Sequence, residues 1–512
     1  MPTFRRPFIT LCALCAIVAL ALLAGATSAS SAPPPTPPPA APDRARVEPP
    51  RDEIAPAQAQ AMWAEIQHNL TVLRGAGVLA ALTTAQIVPL NWPLRVIPGL
   101  ADDAGFNISA FVDHNPASGQ VLDYNGGTRT YDGHRGTDIA LNPFGWNKMD
   151  AGEVQVIAAA AGTIVAMANV DPTDHNCNTA SSDPWNYVAL VHADGRMTIY
   201  GHMRYNSLTR KQIGQTVAQG EYLGTVGSSG NSSGPHLHFE VRFGNFSNAE
   251  FIDPYAGPAS QPESLWASQR PYVESAVSRL STHASPPSAP DPCLPTITNL
   301  QDSFTTPRTI YFYTYYRDYQ GTLATQLNIY RPDGSLFLSS QYAPGSSAFH
   351  PVWSNGWAAS FSASEPAGTW RVTATYNEQI YTTFFNLNAP PTLALSSPNS
   401  GEQWDVLRVH PVTWADNFGG NVNIDLYHNG VYTAMLADNA PSDGEYLWVP
   451  GLALPPGAGY TIRVASVLAP AVYDESNAPF TLLASQLTEK LYLPLIQRTT
   501  AKGTRSSQPP GP

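Results

Sequence analysis

Proline constrains this chain more than any other residue. Each one fixes φ and removes a backbone donor, so it is kept out of helix interiors and central strands. The sequence carries 48 prolines in 512 residues, and they gather in runs. Residues 33–39 read Pro-Pro-Pro-Thr-Pro-Pro-Pro and open a stiff, extended linker that continues to 51. Residues 285–292 read Ser-Pro-Pro-Ser-Ala-Pro-Asp-Pro and mark a second linker, 258–294. A chain of this length divides into several domains in any case. The expected division is a signal peptide at 1–32, the linker 33–51, a helical segment at 52–95 and a β-rich unit at 96–257. The second linker follows, then two β-sandwich modules at 295–388 and 389–484, and a tail at 485–512.

The ends and the charge narrow the class. Arg5 and Arg6 precede an apolar run at 7–24, and small residues follow with cleavage points after Ala29 or Ala32. That is the grammar of a signal peptide, and it predicts a secreted or cell-surface protein. No later segment is apolar enough to span a bilayer. A net charge of −12 disfavours nucleic-acid binding, which needs a basic face. Cys12 and Cys15 lie inside the apolar run, so the mature chain keeps Cys177 and Cys293 in a compartment where disulfides persist. A disulfide between these two is expected to tie the first β module to the unit before it. Closing so long a loop contributes about 4–5 kcal/mol in the chain-entropy account.

Periodicity gives the elements. Ala59, Met62, Trp63, Ile66, Leu70 and Leu73 recur at helical spacing and predict a helix over 56–74, read as a brace for the next unit, with a pro-segment as the alternative. Residues 154–167 read as two strands hinged at Gly162, and 187–200 as a hairpin turning at Asp194-Gly195. Residues 227–234, Gly-Ser-Ser-Gly-Asn-Ser-Ser-Gly, lack the lysine and the following helix of a phosphate loop. They are expected to be a flexible approach to the strand at 237–243 and one wall of a cleft. Aromatic strands such as 310–316 and 370–376, and short strands with Gly, Pro and Asn turns over 391–483, predict β-sandwiches. Their aromatic residues are taken as core, with carbohydrate binding as the alternative. His350, His410 and His428 are isolated and taken as structural or surface residues.

Chemistry concentrates in two clusters about a hundred residues apart. The first holds His134 and Asp138, bracketed by Gly133 and Gly136; the second is Gly234-Pro-His-Leu-His-Phe239. Side chains alternate across a strand, so His236 and His238 share one face, roughly 7 Å apart at Cα. Two imidazoles and a carboxylate can hold a zinc ion while a further imidazole faces substrate. Between the clusters, His202 closes the apolar run Ile199-Tyr-Gly-His202. His175, two residues from Cys177, has no ligand cluster around it and reads as part of a structural loop. Tyr131 and Tyr200 lie near these clusters and read as packing residues, with assistance to an oxyanion as the alternative.

This order of motifs resembles the lysostaphin-type zinc endopeptidases, a secreted family that cleaves cell walls and includes the beta-lytic peptidases. The family pattern is His-x(3)-Asp, then Tyr-x-His on a strand, then His-x-His after a Gly-Pro-like turn, and the resemblance covers about 96–257. It implies a mainly β fold, with a peptidase domain of antiparallel sheets of the duplicated hybrid motif type. It also implies His134, Asp138 and His238 as ligands of one zinc ion, and His202 and His236 as catalytic histidines. The later series over 391–483 resembles immunoglobulin-like or fibronectin-like modules.

The function expected is therefore a secreted zinc metalloendopeptidase acting on peptidoglycan stem peptides or cross-bridges. Two alternatives stay open: a protease for glycine-rich proteins, and a surface-binding or adhesive protein whose metal site is idle. The acidic balance offers no attraction to anionic wall polymers, so targeting would rest on shape or on the appended modules.

Overall fold

The computed structural model describes residues 54, 56–79, 87–100, 105–177, 183–243, 251–345 and 349–484. The expected signal peptide, the first linker and the C-terminal tail lie outside them. The protein is mainly β, as expected, with a helix near its start. Two compact units emerge. The first comprises the described residues up to Asp302 together with Thr309–Ser360 and Arg371–Phe384, and the second takes Ser303–Arg308, Phe361–Trp370 and the described residues from Phe385. Among the described residues, no helix is long and apolar enough to cross a membrane.

The first unit opens with helix α1, Pro56–Gly75. The ten strands after it are β1 Leu94–Val96, β2 Phe106–Ala110, β3 Thr137–Leu141, β4 Val154–Ile157, β5 Gly162–Ala168, β6 Tyr187–Val191, β7 Met197–Gly201, β8 Thr216–Val217, β9 Tyr222–Thr225 and β10 His236–Arg242. They form a seven-stranded antiparallel sheet, order β2-β3-β10-β7-β6-β5-β8, and a small sheet, order β1-β4-β9. The hairpin expected over 187–200 is β6–β7, and the two strands hinged at Gly162 are β4 and β5.

Each face of the large sheet has its own cover. On one face, Ile139, Ile164, Leu190, Tyr200, Leu237 and Phe239 share a core with Leu94, Val154, Val156 and Leu223 of the small sheet. On the other, the helical stripe Met62, Trp63, Ile66 and Leu70 of α1 packs on Val165, Tyr187, Ala189, Met197 and Ile199. The stripe exists because these residues recur every three or four positions, and the helix braces the sheet. Covered on both sides, β10 is buried at all seven positions. Period-two alternation then sends Leu237, Phe239 and Val241 into the core and His236, His238, Glu240 and Arg242 to the opposite face.

Two elements depart from the sequence reading. A short helix α2, Gly145–Ala151, lies between β3 and β4. The stretch 258–294, expected to be a linker, holds strand β11, Ala276–His283, paired antiparallel with Arg308–Gln320. The prolines that suggested a linker lie beyond that strand, while Val277 and Leu280 pack with Tyr316, Tyr319 and Tyr376. Cys177 and Cys293 are joined by a disulfide, Cα atoms 5.5 Å apart, as expected. Beside it, the Trp146 indole donates to the Pro292 carbonyl, and Asn147 exchanges two hydrogen bonds with Thr296.

In the second unit a three-stranded sheet, Leu393–Ser397, His410–Asp416 and Glu445–Trp448, and a larger one built on Asn421–His428 and Gly457–Ser466 enclose one core. Trp414, Ile424, Leu426, Tyr460, Ile462, Val464 and Phe480 fill it.

Candidate metal centre

Register builds the centre. His238 on β10 lies directly opposite Asp138 on β3 and, on its other side, opposite Gly201 on β7. Residues paired across strands project to the same face, so the two clusters a hundred residues apart in sequence meet at neighbouring positions. His202 follows immediately after β7. It holds a left-handed backbone, φ 55°, which side chains larger than glycine rarely adopt and which recurs at functional positions. His134 comes from the turn preceding β3, where its backbone carbonyl accepts from the Asp113 amide.

The distances are short. Asp138 Oδ1 lies 3.1 Å from His134 Nε2 and 3.0 Å from His238 Nδ1, and the two imidazole nitrogens are 3.4 Å apart. One ligand atom from each of the three residues falls within 4.8 Å of the others, and the three form the one such candidate cluster among the described residues. Two nitrogens and one oxygen converging in this way fit a zinc site with a position left for water. His236 Nε2 is 3.9 Å from Asp138 Oδ1, and the His202 and His236 rings are 4.4 Å apart. All five residues are at most 3% exposed. His202 borders a shallow surface depression lined by Ile54, Gln58, Asp183, Trp185 and Asn231.

Tautomers follow from the acceptors. The Nδ1 atoms of His134, His202 and His236 lie 2.6, 2.6 and 2.8 Å from the carbonyls of Phe111, Ser229 and Gly234. A carbonyl only accepts, so each Nδ1 carries the proton and each Nε2 keeps its lone pair. Two imidazole nitrogens and the fully buried Asp138 carboxyl thus converge on one point, where a bound cation would compensate the crowding of lone pairs.

The structure brings together every site residue expected from the sequence and revises three neighbouring readings. Tyr131 is more than packing: it stacks on His134 at 4.2 Å and its hydroxyl donates to Asp138 Oδ2 at 3.2 Å. Tyr200 does pack, its hydroxyl accepting from the Ala159 amide. The 227–234 segment does form a wall beside His202, but it is tied down. Ser228, Ser229 and Ser232 are buried, and Gly230 N–H donates to Asp171. His175 bonds Asp150 and Asp174, in keeping with a structural loop. Residues missed in sequence are Glu240 and Arg242, which share the strand face of the two histidines. The same period-two rule that picked out His-x-His extends to them.

Comparison with known proteins adds a family. Residues 132–254 match the profile of Peptidase family M23. The chain carries an M23 peptidase domain. A stretch of 88 residues is 40% identical to the cell division protein DipM of Caulobacter vibrioides, covering 17% of this chain and 12% of that protein. A stretch of 110 residues is 32% identical to the peptidoglycan DD-endopeptidase ShyA of Vibrio cholerae, covering 21% and 20%. The chain thus matches a fifth or less of the length of either relative. The catalytic domain of lysostaphin from Staphylococcus simulans aligns over 30% of this chain and 90% of its own, at 24% identity and a TM-score of 0.20. The M23 match begins two residues before His134 and ends sixteen after His238, so it contains all five site residues.

Proposed function

We propose that the chain is a secreted, extracellular or cell-surface zinc endopeptidase that hydrolyses peptide bonds in peptidoglycan stem peptides or cross-bridges. One observation carries this reading: His134, Asp138 and His238 converge on one buried face with His202 and His236 beside them, inside the M23 domain. That ShyA is a peptidoglycan DD-endopeptidase supports the substrate class.

His134 Nε2, Asp138 Oδ1 and His238 Nδ1 are the proposed zinc ligands. When bound, zinc supplies a positive centre that polarises a peptide carbonyl and lowers the pKa of water to about 7. The rest is work for side chains. His202 and His236 keep their Nε2 lone pairs towards the site because backbone carbonyls hold the opposite nitrogens. A lone pair at Nε2 takes the proton of the attacking water, and the imidazolium so formed returns that proton to the departing amine, with the second histidine beside it. The Tyr131 hydroxyl steadies the Asp138 carboxylate. The β modules are proposed to serve surface attachment.

The test uses the purified mature chain with peptidoglycan sacculi and a panel of glycine-rich proteins. Soluble wall peptides should be released, a strong chelator should stop the release, and added zinc should restore it. Activity indifferent to chelation contradicts the proposal. Cleavage confined to the glycine-rich proteins would move the substrate.

A further inference from the structure

The face of β10 that carries His236 and His238 does not end there. Glu240 and Arg242 continue it, each at most 3% exposed, and a buried carboxylate needs compensating contacts. Its two oxygens are divided. Oε2 accepts from Arg242 Nε at 2.7 Å, and Oε1 lies 3.1 Å from His238 Nε2. The Arg242 guanidinium is always protonated and donates to Glu240, so the carboxylate beside it only accepts, and His238 Nε2 carries the proton. The Arg242 guanidinium stacks on the Trp63 ring of α1, 4.1 Å from its centroid.

We propose that Glu240 is a positioning residue for the metal centre: it fixes the tautomer and ring plane of His238 so that Nδ1 presents its lone pair beside Asp138 and His134. The inference rests on reading His238 as a metal ligand.

Three features separate this from an ordinary buried ion pair. Arg242 alone would need only one carboxylate oxygen, yet the second is spent on the imidazole. Among the described contacts of the four site histidines, the other three give Nδ1 to neutral carbonyls, whereas His238 gives its distal nitrogen to an anion. An anionic acceptor raises the basicity of a ligating imidazole, and removing such an acceptor weakens metal binding about 10–100-fold. The ring is also closely packed, because a Cβ built on Gly136 would come within 2.6 Å of His238 Cε1 and 2.7 Å of its Nε2. With Nε2 held on Glu240, Nδ1 is the nitrogen left facing Asp138 and the metal position.

The experiment measures zinc affinity of the full mature chain by competition with a chromophoric chelator, alongside melting of the metal-free protein. Glu240→Gln keeps shape and removes the charge; it should weaken zinc binding about 10–100-fold. Because it leaves Arg242 without its counter-charge, Glu240→Gln with Arg242→Gln is the second variant, and it should show the same weakening with folding retained. A folded variant of either kind that binds zinc within about twofold of the parent overturns the proposal. Nitrogen-15 histidine spectra of the unmodified zinc-loaded chain give a test independent of any variant: His238 should carry its proton on Nε2, and a proton on Nδ1 overturns the proposal outright. If His238→Ala keeps its zinc, the ligand assignment has failed. If it loses zinc while Glu240→Gln does not, only the positioning role has.

Discussion

β10 of the M23 domain and the strand Asn421–His428 of the second unit obey the same alternation and put it to opposite uses. In the second unit, Val422, Ile424 and Leu426 are buried while the residues between them remain partly exposed. That strand has one covered face and one wet face. In β10 both faces are covered, so its polar set is buried as fully as its apolar set. Burying His236, His238, Glu240 and Arg242 is costly unless each is partnered, and the partners are Asp138, backbone carbonyls and one another. His428, at a half-buried strand end, stacks on Tyr460 at 4.2 Å and lies near the Ala458 carbonyl. The difference teaches that a histidine in a strand acquires chemistry when its face is covered and the covering supplies acceptors.

The comparison breaks most visibly at the ligands. His134→Ala, Asp138→Ala and His238→Ala should each lose bound zinc and all measurable lytic activity, whereas His428→Ala should change neither. Metal analysis of the four variants checks this; zinc loss in the His428 variant would end the contrast between the strands.

A smaller effect is expected at the crosslink. Cys177–Cys293 closes a loop of sequence separation 116. Cys177→Ser with Cys293→Ser should therefore lower the stability of the first unit by up to about 4–5 kcal/mol in the chain-entropy account. Melting of the second unit should be unchanged. Two transitions followed by calorimetry distinguish the units, and equal shifts in both would contradict the localisation.

Smaller still is the glycine contrast. Gly136→Ala forces a methyl against the His238 ring and the Phe239 carbonyl, while nothing lies within 4 Å of a Cβ at Gly451. The first change should cost about 1–3 kcal/mol and weaken zinc binding; the second should stay within about 0.5 kcal/mol. Denaturant titration and zinc competition read both, and a silent Gly136→Ala would show that the ring has more room than the geometry allows.

Much of this was legible in the sequence because the deciding rules are local. Helical spacing located α1, alternation and the Asp194-Gly195 turn located β6 and β7, and His-x-His announced a shared face. The pairing of His238 with Asp138 was not legible, because register between distant strands depends on the whole sheet; family resemblance supplied it. α2 escaped because seven residues give too little periodicity to register, and its preceding Phe144 forms no side-chain cap. β11 was hidden by the prolines that follow it. Glu240 and Arg242 were visible in the right register but read only as part of a strand, since nothing local says that the far face is covered by α1.

The central claim is that two neighbouring histidines on one strand face divide the labour, His238 holding metal and His236 moving a proton. Measuring zinc content and lytic rate together in His236→Ala and His238→Ala tests it most directly. The account predicts that the His236 variant retains its zinc and loses about 10²-fold or more of its rate, while the His238 variant loses both. Equal zinc loss in the two variants would contradict it.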